Sequence, residues 1–473
     1  MRLSRWTYVE LIACMNMKVL YAFGGIPPYY DATLRTLARK GVDISVVIPK
    51  GKGLSLGQNV KLIDDVPSCY KVIQAKEKRA ILGKPYFPRL PAILVEERPD
   101  IVVMGWPYFL QFFFQQALRK AIKATNTKLV IREIPFRVPP YGAVSAFFKE
   151  HRFFDEGMRL LNEQPLFLSR QWVLARIRRY CYSRADGALA YATVGKEIMP
   201  TYGIADDKVF VTYNANDTDE LFAIKQRLTE AGTPQKKNPY RVIHVGRLVK
   251  WKRVNLLIEA FAKVLLRFPE AELVIIGDGP ELEALKRQAD DLNLTGKVLF
   301  TGAIYDYKQT ATHLASSAVY ALAGMGGLSI NDAMTFGLPV ICSVCDGTER
   351  DLVIDGESGF FFKENDADDL ATKLTILFEE PERAVKMGEA AWKVIRDKVN
   401  LDTVSERYIR AFGKIVSGNR MVPVVPEEEV VPTSSLGAST DKQKSVRPLN
   451  LKTSEPLQAS PSNEQPMNNR RDY

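Results

Sequence analysis

The sequence predicts an α/β protein built from two doubly wound domains. Short apolar runs rich in β-branched residues alternate with amphipathic helical patterns twice along the chain, as parallel sheets covered by helices require. The length of 473 residues also exceeds what one ordinary core supports. A polar stretch at 216–240 separates the two alternations, and we interpret it as a linker between domains.

The first domain is predicted to span residues 17–215. Its strands are expected at six runs: Lys18–Phe23, Asp43–Ile48, Ile101–Gly105, Lys128–Arg132, Gly187–Tyr191 and Val209–Thr212. Its helices are expected at Tyr29–Lys40, Tyr108–Ala124 and Arg170–Ser183. Because the first strand begins directly after Met17, we interpret residues 1–16 as a loose N-terminal extension and Met17 as lying near the natural start of the fold.

The second domain is predicted to span residues 241–400. Its strands are expected at Arg241–Val245, Glu272–Ile276, Val298–Phe300, Ala318–Leu322, Pro339–Cys342 and Gly359–Phe362. Residues 401–417 are predicted to form a last amphipathic helix. The tail, 418–473, contains seven prolines and one aromatic residue, so it buries too little apolar area to offset its ordering entropy and is predicted to be disordered.

Composition excludes several classes of protein. A hydrophobic content of 46% and a charged content of 25% are typical of a soluble globular protein. No run of eighteen or more apolar residues occurs, so we expect no transmembrane segment. Five scattered cysteines form no disulfide framework, which favours a cytoplasmic location. No P-loop, dinucleotide fingerprint or nucleic-acid module is recognisable, so nucleic acid is not an expected partner.

The net charge of +10 is concentrated in the folded part of the chain. Residues 137–184 alone carry nine Arg and Lys against four Asp and Glu, interleaved with aromatic residues. Two interpretations stay open. The segment is either a surface for anionic lipid at the inner face of the membrane, or an ordinary helical insertion with aromatic residues in its core and solvated arginines.

The clearest motif is the run RVIHVGRLVKWKR, which begins at Arg241. An apolar strand ends in a glycine turn, and Arg247 and Lys252 follow at a spacing of five residues. Two cations beside the carboxyl end of a strand are suited to holding a diphosphate. The nearby run Gly277-Asp278-Gly279-Pro280 ends a second strand and opens a helix.

Two further glycine-rich segments follow predicted strands. The first is Gly324-Met325-Gly326-Gly327-Leu328-Ser329-Ile330-Asn331-Asp332, a turn whose free N–H groups at a helix N-terminus can face phosphate or sugar oxygens. The second is Gly24-Gly25, which lets the backbone approach a ligand after the first strand. Both turns are also consistent with plain strand–turn–helix packing.

Together these segments resemble the donor-binding domain of the retaining glycosyltransferases of family 4, of the "glycosyl transferases group 1" type common in bacterial cell-surface polysaccharide synthesis. The resemblance covers residues 240–380 closely and 17–215 more loosely. It implies the GT-B fold, in which two Rossmann-like domains face a central cleft and the terminal helix crosses back to the first domain. It also implies transfer of a sugar from a nucleotide-diphosphate sugar to an acceptor hydroxyl with retention of anomeric configuration.

The resemblance also implies roles for individual residues. Arg247 and Lys252 would clamp the donor diphosphate and neutralise the leaving group, so neither a metal nor a cofactor is expected. The donor-binding residues implied are Gly24, Gly25, Gly246, Gly326, Gly327, Leu328 and Asp332. Glu133 and Arg137 are candidate polar groups on the acceptor side, and the acceptor is expected to be lipid-linked or at a membrane surface. The chain departs from the family pattern at two positions, because Gly324 stands where relatives carry the first of two glutamates and Asp332 stands where they carry the second.

Two alternatives to this function stay open, and Gly324 bears on the first of them. One is a catalytically impaired partner subunit that binds nucleotide sugar, and the other is a GT-B nucleotide-sugar epimerase. The remaining candidate groups are interpreted as structural. His244 lies in a predicted buried strand, and Cys342 and Cys345 have zinc-like spacing without a second pair of ligands.

Overall fold

The computed structural model describes residues 17–417 apart from 52, 55–61, 64–67, 134–137, 151, 156, 162–165, 231–237 and 346. The predicted N-terminal extension and C-terminal tail therefore lie outside the described residues, as does Arg137. Both parallel sheets belong to one unit of the chain, residues 1–420.

The first sheet has seven strands, all parallel. The strands of this half are β1 (Lys18–Ala22), β2 (Asp43–Pro49), β3 (Lys71–Ala75), β4 (Lys78–Arg79), β5 (Pro85–Tyr86), β6 (Ile101–Gly105), β7 (Lys128–Arg132), β8 (Gly187–Ala190) and β9 (Val209–Val211). The order in the sheet is β3-β2-β1-β6-β7-β8-β9, while β4 and β5 form a small antiparallel pair. The central strands are buried on both faces, which explains their continuous apolar sequences.

The helices of this half cover the sheet. They are α1 (Pro28–Arg39), α2 (Leu90–Glu97), α3 (Gln111–Phe114), α4 (Gln116–Thr125), α5 (Val144–Lys149), α6 (Phe167–Tyr182), α7 (Val194–Ile198) and α8 (Thr218–Glu230). The single helix predicted from Tyr108 to Ala124 is interrupted, because Gln115 is extended between α3 and α4. The Arg119 guanidinium donates to the carbonyls of Phe112 and Phe113, at 2.7 and 2.6 Å, and so caps the end of α3.

The second sheet has six parallel strands. They are β10 (Arg241–Val245), β11 (Glu272–Ile276), β12 (Val298–Gly302), β13 (Val319–Leu322), β14 (Val340–Cys342) and β15 (Gly359–Phe361), in the order β12-β11-β10-β13-β14-β15. Its helices are α9 (Val254–Leu265), α10 (Leu282–Asp291), α11 (Tyr307–Ala315), α12 (Ser329–Thr335), α13 (Thr348–Leu352), α14 (Ala367–Glu379) and α15 (Pro381–Asp397). The prediction of an α/β protein with two doubly wound parallel sheets is confirmed.

Each sheet has one point where the strand order reverses. It lies between β1 and β6 in the first sheet and between β10 and β13 in the second. In doubly wound sheets, ligands bind in the crevice outside the carboxyl ends of the strands at this switch point. The glycine turns of the sequence follow β1, β10 and β13, and therefore lie at these two positions.

The stretch predicted as a linker contains a helix. Residues 218–230 form α8, which buries Leu221 and Ile224 and carries Asp219 and Glu220 in its first turn, where they complement the helix dipole. Its polar exposed face accounts for the prediction of an irregular connection. Strand β3 was also not predicted, because this edge strand is incompletely buried and therefore lacks a continuous apolar run.

The last helix, α16 (Leu401–Ser417), packs on the first domain. The Lys40 ammonium lies 2.5 Å from an Asp402 carboxylate oxygen, and Arg132 donates from Nε to the Tyr408 hydroxyl at 3.3 Å. The guanidinium carbon of Arg132 also lies 4.5 Å from the centre of the Tyr30 ring. The chain thus returns to the first sheet after completing the second.

Candidate functional site

The turns after β10 and β11 pack backbone against backbone. A Cβ atom on Gly277 would lie 1.9 Å from the carbonyl oxygen of Gly246, so only glycine allows this approach. The Leu248 amide donates to the Asp278 carbonyl at 2.9 Å. The backbone around Arg247 is therefore held in place by its contacts with the turn that follows β11.

Lys252 lies five residues beyond Arg247, at the end of a 3-10 helix formed by Lys250–Lys252. Its ammonium donates to the carbonyl oxygens of Met325 and Gly326, at 2.7 and 2.5 Å. Arg247 is half-buried on the same turn. Lys252 thus lies beside the glycine-rich loop that follows β13, across the switch point of the second sheet, and Arg247 lies on the turn that follows β10.

Gly324 explains how this loop and the 3-10 helix meet. A Cβ atom at position 324 would lie 2.2 Å from the Trp251 carbonyl oxygen and 2.6 Å from the carbonyl carbon of Lys252. The Met325 amide donates to the same Trp251 oxygen at 2.8 Å. The backbone of Trp251 and Lys252 therefore occupies the space next to Gly324 into which a side chain would extend.

Asp332 lies on α12 and is buried. One of its carboxylate oxygens accepts a hydrogen bond of 2.7 Å from the Asn216 side-chain amide. Burial raises the pKa of Asp332 to about 7, and the bond from Asn216 opposes this shift. Asn216 belongs to the stretch interpreted as a linker, so the sequence analysis did not include it. The sequence feature that could have indicated Asn216 is the run Asn214-Ala215-Asn216-Asp217, which is rich in residues that cap helices.

His244 is buried beside the Lys252 side chain. Its Nδ1 atom lies 3.0 Å from the Ala321 carbonyl oxygen, so this nitrogen carries the proton and Nε2 is the acceptor. A Cβ atom placed on Gly246 would lie 3.5 Å from Nε2 and 3.8 Å from Lys252 Cε. Burial, together with the charge of Lys252, lowers the pKa of His244 to about 4, and this keeps the imidazole neutral.

On the first domain, Gly24 and Gly25 are buried directly after β1. Glu133, which follows β7, is also buried and its carboxylate is engaged within the domain. Arg178 donates from Nε to one oxygen at 2.9 Å, and the Tyr182 hydroxyl donates to the other at 3.1 Å. Glu133 therefore holds α6 against the carboxyl edge of the first sheet.

Hydrogen bonds join the two carboxyl edges. Besides the Asn216–Asp332 bond, both the amide and the hydroxyl of Thr193 donate to the Asp351 carboxylate, at 2.8 and 2.6 Å. The Asn331 side-chain amide donates to the Asn214 carbonyl at 3.3 Å. Helix α12, which carries Asn331 and Asp332 after the glycine-rich loop, is thus joined by hydrogen bonds to the connection that follows β9.

The basic aromatic segment 137–184 is partly described. Phe148 and Phe153 both lie against Phe167, with ring centres 6.5 and 5.3 Å apart, so several of its aromatic residues pack together. Leu166 is 72% exposed, and Met158 and Leu160 are also exposed. Among the described residues, no helix has the length and apolar character needed to cross a bilayer.

Part of the chain matches a known protein family. Residues 226–394 match the family model of the glycosyl transferases group 1. The matched segment contains Arg247, Lys252 and Asp332, and it supports the family that the sequence motifs indicated.

Two curated relatives are glycosyltransferases. An uncharacterized glycosyltransferase of Methanocaldococcus jannaschii is 26% identical over 247 residues, covering 51% of this chain and 62% of the relative. A GDP-mannose-dependent α-(1-6)-phosphatidylinositol monomannoside mannosyltransferase of Mycolicibacterium smegmatis is 29% identical over 228 residues, covering 46% and 56%. The chain thus spans less than two thirds of the length of these curated relatives.

Solved structures share the fold. HepE of Anabaena, crystallised with UDP, has a TM-score of 0.59 at 17% identity, covering 85% of this chain and 100% of HepE. Sucrose-phosphate synthase of Thermosynechococcus elongatus has a TM-score of 0.61 at 17% identity, with the same coverage of 85% and 100%. The GT-B architecture expected from the sequence is confirmed.

Proposed function

We propose that this chain transfers a sugar from a nucleotide-diphosphate sugar to an acceptor hydroxyl, with retention of configuration at the anomeric carbon. The observation that carries the proposal is the pair Arg247 and Lys252 at the switch point of the second sheet, beside a glycine-rich loop. Cations at this position stabilise the negative charge that develops on a departing nucleoside diphosphate. The family match of residues 226–394 and the UDP bound to HepE support the same conclusion.

Each group in the site has a role in this proposal. Arg247 and Lys252 neutralise the leaving diphosphate without a metal or a cofactor. Asp332 accepts hydrogen bonds from the ribose hydroxyls. The remaining donor contacts come from backbone and small residues: Gly24, Gly25, Gly246, Gly326, Gly327 and Leu328. The bond from the anomeric carbon to the diphosphate breaks while the acceptor oxygen attacks from the same face, and its proton passes to the departing phosphate oxygen.

The direct test is donor turnover. The purified protein would be incubated with UDP- and GDP-sugars, with and without a membrane lipid extract, and the anomeric configuration of the product read by NMR. Mass spectrometry of any nucleotide sugar that co-purifies would name the donor. We expect a product of retained configuration. An inverted product contradicts retention, donor rearrangement without acceptor indicates an epimerase, and donor binding without turnover indicates a partner subunit.

Asp332 gives a prediction about pH. Ribose hydroxyls that donate to the carboxylate stabilise its ionised form, so nucleotide binding lowers a pKa that is about 7 in the free protein. UDP affinity should therefore rise with pH up to about 7 and then level off, with release of up to about one proton per UDP at pH 6. Calorimetry in two buffers of different ionisation enthalpy measures this release. It should be smaller in Asp332→Asn by the share that Asp332 contributes, because the terminal phosphate of UDP, with a second pKa of about 6, releases a proton in both proteins.

The matched control is Asp291→Asn, an exposed carboxylate at the end of α10. It should bind UDP with the same proton release as the unmodified protein.

The pH dependence of the stability of the fold provides a second measurement. Because the folded pKa of Asp332 lies above the unfolded value of about 3.9, the ionised group destabilises the fold as pH rises from about 4 to 7. Asp332→Asn should therefore flatten the fall in stability over this window. Unchanged UDP affinity and proton release in Asp332→Asn would remove Asp332 from the site.

We further propose that the acceptor lies at a membrane surface, in the synthesis of a cell-surface glycan or glycolipid. The support is the excess of five positive charges in residues 137–184 together with the exposed Leu166, Met158 and Leu160. Exposed apolar side chains among arginines are suited to an anionic interface. The name of the M. smegmatis relative, a phosphatidylinositol monomannoside mannosyltransferase, agrees with such an acceptor.

Vesicle sedimentation tests this surface. We expect binding to phosphatidylglycerol vesicles that weakens as salt shortens the Debye length, which is about 10 Å at 0.1 M. Leu166→Ser should weaken binding, whereas Leu266→Ser should not, although Leu266 is 88% exposed on the second domain. Equal binding to neutral phosphatidylcholine vesicles, or equal effects of the two substitutions, would contradict the proposal.

A further inference from the structure

Trp106 lies at the switch point of the first sheet. It follows β6 directly, and β6 pairs with β1, which leads into Gly24 and Gly25. The carboxyl ends of parallel strands meet at the same edge of a sheet, so Trp106 and the Gly24-Gly25 turn flank one crevice. Trp106 has no role assigned from the sequence, and it lies outside the family match, which begins at residue 226.

Two cations lie close to the Trp106 ring. The Arg178 guanidinium carbon is 4.1 Å from the ring centre, and Lys84 Nζ is 5.3 Å from it. The charge of Arg178 is neutralised, because its guanidinium also pairs with the buried Glu133 carboxylate at 2.9 Å. Lys84 is therefore the cation next to the Trp106 ring whose charge is not neutralised by Glu133.

Lys84 is half-buried and lacks a neighbouring anion within the described part of the chain. The pKa of its ammonium is lowered by burial and then by the positive charge of Arg178, with no carboxylate acting in the other direction. Glu77, on the same connection between β3 and β6, is already engaged by the Leu54 amide at 2.9 Å and by the Tyr108 hydroxyl. A half-buried cation without a counter-ion is unfavourable unless a ligand supplies the anion.

The indole of Trp106 adds a second donor at this place. Its N–H group makes no hydrogen bond to a described residue. An ammonium and an indole N–H together favour a ligand with negatively charged oxygens. Both features lie on the domain opposite Arg247 and Lys252.

We propose that Lys84 and Trp106 form an acceptor subsite for a saccharide that carries a negative charge, either a carboxylate or a phosphate. The inference rests on the proposed function, since it places this acidic saccharide opposite the nucleotide-sugar donor. Lys84 pairs with the anionic group and the Trp106 N–H donates to one of its oxygens. The sugar ring then lies toward the donor across the cleft.

The test uses the full chain with its donor site filled by saturating UDP. Saturation-transfer NMR would measure the affinity of three probes: D-glucuronate, glucose 6-phosphate and neutral D-glucose. We expect one or both acidic sugars to bind at least about tenfold more tightly than glucose, consistent with a charge-assisted contact. Lys84→Gln should abolish this preference and leave the affinity for UDP unchanged, and the comparison of glucuronate with glucose 6-phosphate identifies the anionic group.

Two further variants sharpen the result. Lys78→Gln removes an exposed lysine from the same β4–β5 hairpin and should change nothing. Trp106→Phe keeps an aromatic ring but removes the N–H donor, and it should weaken the acidic sugar about threefold or more. Equal binding of glucose and the acidic sugars to the unmodified protein, or an undiminished preference in Lys84→Gln, would overturn the proposal. Failure of the proposed function would appear separately, as absence of UDP binding and donor turnover.

Discussion

Replacing Lys252 by alanine is expected to lower turnover of the nucleotide-sugar donor about a hundredfold or more, the loss typical of removing one preorganised group that stabilises developing charge. The Lys252 ammonium is fixed by hydrogen bonds to the Met325 and Gly326 carbonyls before any ligand arrives. It therefore needs little reorganisation when the diphosphate acquires negative charge. Steady-state kinetics should show a fall in kcat that exceeds any rise in KM, because the cation acts mainly on the transition state.

Lys250→Ala is the matched control for this experiment. Lys250 belongs to the same 3-10 helix but is exposed, so its removal changes the net charge equally without touching the site. Its turnover should match that of the unmodified protein. Melting curves complete the test. If Lys252→Ala unfolded at a much lower temperature than Lys250→Ala, the loss of activity would report on the fold. Unchanged turnover with an intact fold would refute the assignment.

The sequence located the parallel strands because their residues are buried on both faces. Strands β6, β7, β10 and β11 begin and end at the predicted residues, since a continuous apolar run bounded by a glycine or a charged residue leaves little freedom in register. Elements with a solvent face were harder to assign. Helix α8 and the edge strand β3 carry many polar residues, and only the tertiary contacts of Leu221 and Ile224 distinguish α8 from a loop.

The candidate site likewise contains residues that the sequence predicted and contacts that only the structure shows. Arg247 and Lys252 were predicted because they follow a buried strand within a recognisable turn, and Asp332 was predicted because its segment resembles the family signature. Asn216, the partner of Asp332, lies 116 positions away in the chain, and no local pattern joins the two. The bonds from Thr193 to Asp351 span 158 positions and are equally invisible in the sequence. Contacts between domains depend on the packing of two complete sheets, so they become known only from the structure.

Gly324 illustrates a residue whose position was predicted but whose role depends on the structure. The resemblance to the family showed that Gly324 stands where relatives carry a glutamate, but it gave the glycine itself no role. In the structure, the backbone of Trp251 and Lys252 fills the adjoining space, and Met325 donates to the Trp251 carbonyl at 2.8 Å. The glycine therefore determines where the 3-10 helix lies, and through it the position of the Lys252 ammonium.

Gly324→Ala is accordingly expected to lower turnover about a hundredfold, although it adds a single methyl group. The new Cβ atom would lie 2.2 Å from the Trp251 carbonyl oxygen and 2.6 Å from the Lys252 carbonyl carbon, and backbone cannot rotate away as a side chain does. Shifting the 3-10 helix by about 1 Å misplaces the cation, and errors of this size can cost about a hundredfold in rate. The overpacking should also destabilise the fold by about 1–3 kcal/mol.

The control for this substitution is Gly327→Ala, in the same loop. A Cβ atom there would meet only the Lys252 ammonium, at 3.1 Å, and would displace it by a few tenths of an ångström without moving the backbone of the 3-10 helix. Its turnover should fall much less than that of Gly324→Ala. Gly324→Glu, which restores the residue of the family pattern, should be at least as impaired as the alanine variant because it shares the same Cβ. Donor turnover, UDP calorimetry and melting temperature, measured for all three variants, decide whether the packing at position 324 fixes the position of Lys252. An active Gly324→Glu would mean that the 3-10 helix can withdraw from position 324, and that the close packing seen there does not fix Lys252.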